Sequence, residues 1–429
     1  MMEVKIRYGK NFKKVNLPNN SVVLKKPQTL PVKNPRAEIR KMLENPVKTP
    51  TLFELANGKR DACIVVSDTT RPVPNEILIP PLIETLERAG IRNENITILI
   101  ATGTHDPVPE DMFEELLGKE VLRHKVKIVN HSAYDDSMIV NLGKGLHDCP
   151  ALVNKLYMQS SLKICTGLIE PHFMAGFSGG RKSICPGITG IETLKMFHSV
   201  DAMGHPLSKS CSIDGNPVDE MAKSVAKLAG CDFMLNVTLD DQRRITGIFA
   251  GDLFEAHRLG CDFAAKTSIV EMKKEADIVI TSNGGYPLDQ NYYQTAKGLI
   301  EAAEIVKPNG VIVMASECRF GVGKETFKTL LRELKRKGVK AFLDSHKTSQ
   351  TFVSDQWEVQ KISQVLEKTR NIFLLSQLND KDYELTFAKR ITSLSEGLKM
   401  AMKIVGGDHP FVVAVPEGPY VVGRIKNSW

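Results

Sequence analysis

The stretch Glu170-Pro171-His172-Phe173-Met174-Ala175-Gly176-Phe177-Ser178-Gly179-Gly180-Arg181-Lys182-Ser183 gathers glycines, a hydroxyl, an imidazole and two adjacent cations directly after an apolar run. Peptide N–H groups at such a place can cradle an anion, so Gly179 and Gly180 point to a phosphate-bearing ligand. The order superficially resembles the end of an ATP-binding loop, but Arg181 stands where that pattern requires glycine, and an ATPase is poorly supported. A plain Gly-rich turn is the alternative. Lys182 is then either a point-charge anion binder or a nucleophile. Nucleophilic use needs a lowered pKa, which the like charge of Arg181 would favour. On the residues alone, anion binding is preferred.

Three histidines stand at informative places: His105 after one apolar run, His172 after another, and His198 on a helix expected over Ile191–Val200. A single histidine is most often structural; two at strand exits of one sheet make acid–base work a balanced alternative. His198 and His205 are seven apart, not the i, i+4 pair of a zinc hydrolase. Asp68 and Arg71 flank Thr69-Thr70, and an exit-loop arginine followed by proline suits a bidentate grip on a carboxylate or phosphate. The competing account is a surface ion pair between Arg71 and Asp68. Gln294 and Lys297 share a helix face beside Tyr293. Trp357, in a polar segment, reads by itself as a core or lid aromatic.

The elements that must carry these residues follow from periodicity. Short β-branched runs at Cys63–Val66, Ile96–Ile100 and Leu162–Cys165 read as buried strands. They alternate with helical segments at Asn75–Ala89, closed by Gly90, and at Glu110–Leu117. Strands alternating with helices imply a mainly parallel sheet, whose ligands bind beyond the carboxyl ends of its strands. A second series begins near residue 275, with strands at Asp277–Ile280, Val311–Met314 and Ile372–Leu375. Its helices are expected at Tyr293–Val306, Lys328–Lys337, Trp357–Lys368 and Leu394–Val405. The expected fold is therefore two α/β domains with mainly parallel sheets and the active site in the interdomain cleft. The N-terminal catalytic domain would span 1–270 and the C-terminal domain 271–407, with 408–429 a candidate to return to the first.

Composition narrows the class. The chain has 429 residues, 42% hydrophobic and 25% charged, enough for large cores and against wholesale disorder. A net charge of +7 over this length is weak support for nucleic acid but compatible with small anionic substrates. No apolar run approaches the roughly 20 residues of a membrane span, and the first residues lack a signal-peptide core. The eight cysteines are scattered without a C-x-x-C pair, as expected of thiols in a reducing cytoplasm.

Taken together, Ser67–Pro74 (SDTTRPVP), Ala101–His105 (ATGTH), Glu170–Gly187 (EPHFMAGFSGGRKSICPG), the His198 helix, Asp289–Leu299 (DQNYYQTAKGL) and the Trp357 region resemble the lactate racemase family. These segments span most of the chain in order. The resemblance implies an isomerase working with a nickel-pincer nucleotide, a pyridinium mononucleotide whose two sulfur arms and one carbon hold Ni(II). It places a covalent thioamide at Lys182, overturning the anion-binding preference, and makes His198 the fourth nickel ligand. Soft donors plus one imidazole suit Ni(II). The resemblance further implies cofactor contacts at Asp68, Thr69, Gly179, Gly180 and Tyr293, with the glycines letting backbone approach the nucleotide. His105 and His172 become the two bases of a hydride-transfer racemisation through a 2-keto acid, with activity falling at low pH, where bases protonate. Arg71 and Lys297 would hold the substrate carboxylate, with Gln294 and Trp357 nearby.

The substrate would be a small 2-hydroxy acid, lactate by default, and maturation would need the cofactor-synthesis enzymes. After ATGTH the chain continues Asp106-Pro107, where family members often carry arginine; an acid there disfavours a second substrate carboxylate. The alternatives are a C2 epimerase of a sugar acid using the same cofactor, and a non-catalytic nucleotide- or phosphate-binding protein. The second lacks a chemical need for the full set Arg71, His105, His172, Lys182, His198 and Lys297. The expected partners are small molecules and the maturation enzymes, with neither nucleic acid nor membrane.

Overall fold

A computed structural model describes residues 1–426, which divide into two compact units. The division differs from a single cut near residue 270. Residues 28–198 and 207–266 form one unit, while 1–27, 199–206 and 267–426 belong to the other.

The first unit is built on a six-stranded sheet in the order Ile245–Gly251, Phe233–Leu239, Lys163–Leu168, Ala62–Ser67, Ile96–Ala101, Lys127–Asn130. All neighbours are parallel except Ile245–Gly251, which returns antiparallel on Phe233–Leu239. The β-branched runs fill the sheet because both faces are covered: Cys63, Ile64, Val65 and Val66 are all fully buried. Helices start where the sequence supplies caps. Asn34 accepts from Ala37 N–H ahead of Pro35–Glu44, and Asn216 accepts from Val218 and Asp219 N–H ahead of Pro217–Ala229. From Ala62–Ser67 the chain winds outward to one side through Ile96–Ala101 and Lys127–Asn130. It then crosses to the other side of its starting strand at Lys163–Leu168. That reversal opens a crevice at the carboxyl end of Ala62–Ser67.

The second unit carries a fully parallel sheet in the order Lys389–Arg390, Thr369–Leu375, Val306–Ala315, Ala276–Ser282, Val412–Val415, Val22–Val23. Two expectations are corrected here. Of the segment 408–429, the described residues 408–426 do not return to the first unit, because Val412–Val415 pairs with Ala276–Ser282 inside this sheet. The first 27 residues also lie here: Val22–Val23 extends the sheet edge, and the hairpin Met2–Tyr8/Asn11–Leu17 buries Val4, Ile6, Val15 and Leu17 against Ile278, Ile280 and Val313. The short helix Val200–Gly204 is held by the helix Gln356–Lys368, where Gln364 Nε2 donates to Met203 O at 3.2 Å.

Candidate active site

Asp68 and His105 come from different loops, and strand register brings them together. Ser67 pairs with Ala101 across the parallel strands, so the two exit loops start side by side. Asp68 Oδ2 lies 2.6 Å from His105 Nδ1. A carboxylate only accepts, so Nδ1 carries the proton and Nε2 presents its lone pair. Asp68 Oδ1 is satisfied by the N–H and hydroxyl of Thr70, at 3.1 and 2.6 Å; Thr69 is exposed beside them. Burial works to raise the Asp68 pKa, but hydrogen bonds from His105 and Thr70 and the imidazole's charge prevail and hold it below the usual carboxylate value. The ion pair weighed between Asp68 and Arg71 is absent among the described residues. Arg71 Nη1 instead donates to Glu170 Oε1 at 2.7 Å.

The Gly-rich segment folds into a tight turn, Gly180–Ser183, and three of its peptide N–H groups meet protein acceptors. Ser178 N–H donates to Glu170 O, Lys182 N–H to Gly179 O, and Gly180 N–H to Asn236 Oδ1. These three are therefore not presented to an anion, which takes Gly180 N–H out of the expected cradle. The glycines answer to protein packing. Gly179 has φ +71° and a Cβ there would stand 2.5 Å from Asn236 Oδ1; at Gly180, φ +53°, it would stand 2.5 Å from the His257 ring. Gly180→Ala is expected to destabilise the unit by about 1–3 kcal/mol through overpacking and left-handed strain, measured as a lower urea midpoint.

Arg181, weighed as a like-charge neighbour for Lys182, carries a buried counter-ion of its own. Its guanidinium is buried against Asp219, with Nη2–Oδ1 at 2.6 Å. Lys182 is half-buried, its Nζ 3.3 Å from His172 Nε2 and 5.1 Å from the Phe197 ring centre. His172 Nδ1 accepts weakly from Met174 and Ala175 N–H, each at 3.4 Å. The Lys182 ammonium has donors only and faces the Nε2 lone pair, and the 3.4 Å approaches at Nδ1 do not fix the ring's proton. His105 is thus held ready to take a proton through Nε2, while His172 stands against Lys182.

His198 is the C-cap of Ile191–Phe197 rather than a residue within a longer helix. Its Nδ1 lies 3.0 Å from Leu194 O, so Nδ1 donates and Nε2 has the lone pair. Burial first, and the Lys182 cation second, push its pKa down to about 3. A neutral imidazole with an oriented Nε2 is the form a metal takes. Among the described residues, no three His, Cys, Asp or Glu side chains are gathered to hold a metal.

In the second unit, Asn291 caps the helix Tyr292–Ile305 by accepting from Gln294 N–H. Gln294 Oε1 is buried without a donor. Trp357 Nε1 donates to Tyr293 OH at 3.1 Å, so these two aromatics brace one another. Glu358, 1% exposed, was not anticipated. Burial raises its pKa to about 8 against the opposing pull of Lys297, marking the two as electrostatic neighbours.

Comparisons with known proteins match both parts of the chain. Residues 8–210 match the lactate racemase N-terminal domain and 271–422 the lactate racemase C-terminal domain. The chain is 35% identical over 431 residues to the lactate racemase of Thermoanaerobacterium thermosaccharolyticum, covering 99% of this chain and 100% of the relative. It is 35% identical over 387 residues to that of Lactiplantibacillus plantarum, covering 90% of each. The apoprotein structure of the T. thermosaccharolyticum enzyme superposes with a TM-score of 0.91 at 33% identity, over 99% of this chain and 100% of that one. A Thermotoga maritima protein shares the fold, with a TM-score of 0.68 at 17% identity, over 92% of this chain and 100% of that one. These relatives mark the chain as an isomerase, a racemase. The chain belongs to the lactate racemase family.

Proposed function

We propose that this protein interconverts the enantiomers of a short 2-hydroxy acid, lactate first, with a nickel-pincer nucleotide attached at Lys182. The observation that carries the reading is the approach of Lys182 Nζ to His172 Nε2, in the same unit as a second histidine whose proton Asp68 fixes on Nδ1. The residues fit the group: Lys182 offers an amine for attachment, and His198 offers an oriented, neutral nitrogen to nickel. When bound, the group supplies a reversible acceptor for the substrate's α-hydrogen and its electron pair.

The chain's own residues supply the rest. Arg71, anchored through Nη1 on Glu170, holds the substrate carboxylate on its remaining donors, and Lys297 adds a second cation. With the carboxylate fixed, His105 Nε2 takes the hydroxyl proton from one enantiomer. His172, in its protonated form, returns a proton to the oxygen when it reorients to the other side. Reversal of the two roles runs the reaction backwards.

The acids Glu170, Asp68 and Asp106 disfavour a substrate with a second carboxylate, since like charges brought together cost several kcal/mol. Lactate is expected to exceed malate in kcat/KM by at least about a hundredfold; equal values would contradict this placement.

Protein produced together with the cofactor-synthesis enzymes tests the reading. A single adduct on Lys182 by intact mass, nickel content near one, and racemisation of lactate are expected. Lys182→Ala should lose all three. Unmodified protein that racemises lactate would refute the proposal. His198→Ala should lose nickel while keeping the adduct; tightly held nickel in that variant would refute the ligand assignment.

A further inference from the structure

Arg181 and Asp219 have side-chain exposures of 1% and 0% and meet at 2.6 Å, yet neither has a part in the chemistry above. Taking two charges out of water is costly, and well-packed apolar residues are often as good or better for stability. Stability alone is therefore a weak account of the pair.

Its connections suggest another. Arg181 Nη2 donates to Ala175 O, and Nη1 to Gly179 O at 3.2 Å. His257 Nε2 donates to Ser178 O at 2.9 Å. Burial first, and the charge of Arg181 second, push the His257 pKa down to about 3, so it stays neutral. The carbonyls of Ala175, Ser178 and Gly179 are thereby gathered around one guanidinium and one imidazole. Asp219 ties that guanidinium to the first turn of Pro217–Ala229 and is itself held by Lys223 Nζ at 2.6 Å. Lys182 follows Arg181 directly in the turn Gly180–Ser183. The fork of Arg181 enters the core while Lys182 Nζ reaches His172.

We propose that Arg181 is a positioning residue whose buried ion pair with Asp219 locks the loop so that Lys182 stands at His172 in the geometry attachment requires. The proposal rests on the reading of Lys182 as the attachment residue.

The test is the double variant Arg181→Met with Asp219→Leu, which removes both charges at similar volume and is expected to keep the thermal midpoint. In the unloaded full chain, amide exchange of residues 175–183 should accelerate by about tenfold while other segments stay unchanged. In chain produced with the cofactor-synthesis enzymes, the Lys182 adduct, read by mass, should fall by at least about tenfold. Should the double variant aggregate, Arg181→Lys serves with the same two readouts, since it keeps the charge but lacks the planar fork that holds two carbonyls. Wild-type exchange, or full attachment despite faster exchange, overturns the proposal while leaving Lys182 as the attachment site. A wild-type chain that carries no adduct overturns the attachment reading, and the proposal with it.

Discussion

Asp68→Asn is expected to lower kcat by about two to four orders of magnitude while leaving the Lys182 adduct in place. The carboxylate fixes the proton of His105 on Nδ1, at 2.6 Å from Oδ2, and so keeps Nε2 as the base. An asparagine can present its N–H₂ to Nδ1 instead, which drives the proton to Nε2 and removes the lone pair from the substrate side. It also withdraws the negative charge that steadies the imidazolium formed when His105 accepts the hydroxyl proton. Asp68→Glu keeps the charge and should recover part of the rate. The measurement is lactate racemisation by chiral analysis, with intact mass as the control for loading. A variant with the adduct and an unchanged kcat would remove Asp68 from the mechanism.

The second large effect concerns stability in mild acid. His131, His198 and His257 all lie in the unit formed by 28–198 and 207–266, with pKa values lowered to about 4, 3 and 3. Burial is the first cause in each; Lys182 adds to it at His198 and Arg181 at His257. The sign is fixed by where the protons go. The unfolded chain binds them as pH falls below about 6.5, the folded unit only near pH 3–4, so acid favours unfolding across that window. Each group removes up to about 1.4 kcal/mol per pH unit, and the three together remove about 5 kcal/mol between pH 7 and pH 5. This is a large share of an ordinary domain's stability. The carboxylate of Asp68, lowered below its usual value, adds its loss only at more acid pH. Urea denaturation of the unloaded protein at several pH values checks this. His131→Asn should remove about a third of the slope; stability that is flat from pH 7 to pH 5 would contradict the burial of these three rings.

Much of this was legible in the sequence because strands buried on both faces write themselves as apolar runs. Cys63–Val66 and Ile96–Ile100 announce strands, and the polar residues after them announce exit loops. Pairings between loops are not written in the same way. Asp68 reads beside Arg71 because the two are close in sequence, whereas strand register sends Asp68 to His105 and leaves Arg71 for Glu170. The glycines of the Lys182 loop resemble a ligand cradle, and only the packed neighbours Asn236 and His257 show what they accommodate. The discontinuous units were hidden for a related reason. A two-residue edge strand at Val22–Val23 and a five-residue helix at Val200–Gly204 are too short to declare a partner by periodicity, so their allegiance is set by distant contacts. Glu170 was within reach, standing two residues before His172, but nothing in its spacing distinguishes a guanidinium anchor from a surface acid.

The central claim is that the substrate's α-hydrogen leaves and returns within the site while His105 and His172 handle only the hydroxyl proton. Racemisation of 2-deuterated lactate in ordinary water, followed by mass analysis of the newly formed enantiomer, tests it most directly. The account predicts that the product keeps its deuterium; product carrying solvent hydrogen at that carbon from the first turnovers would contradict it.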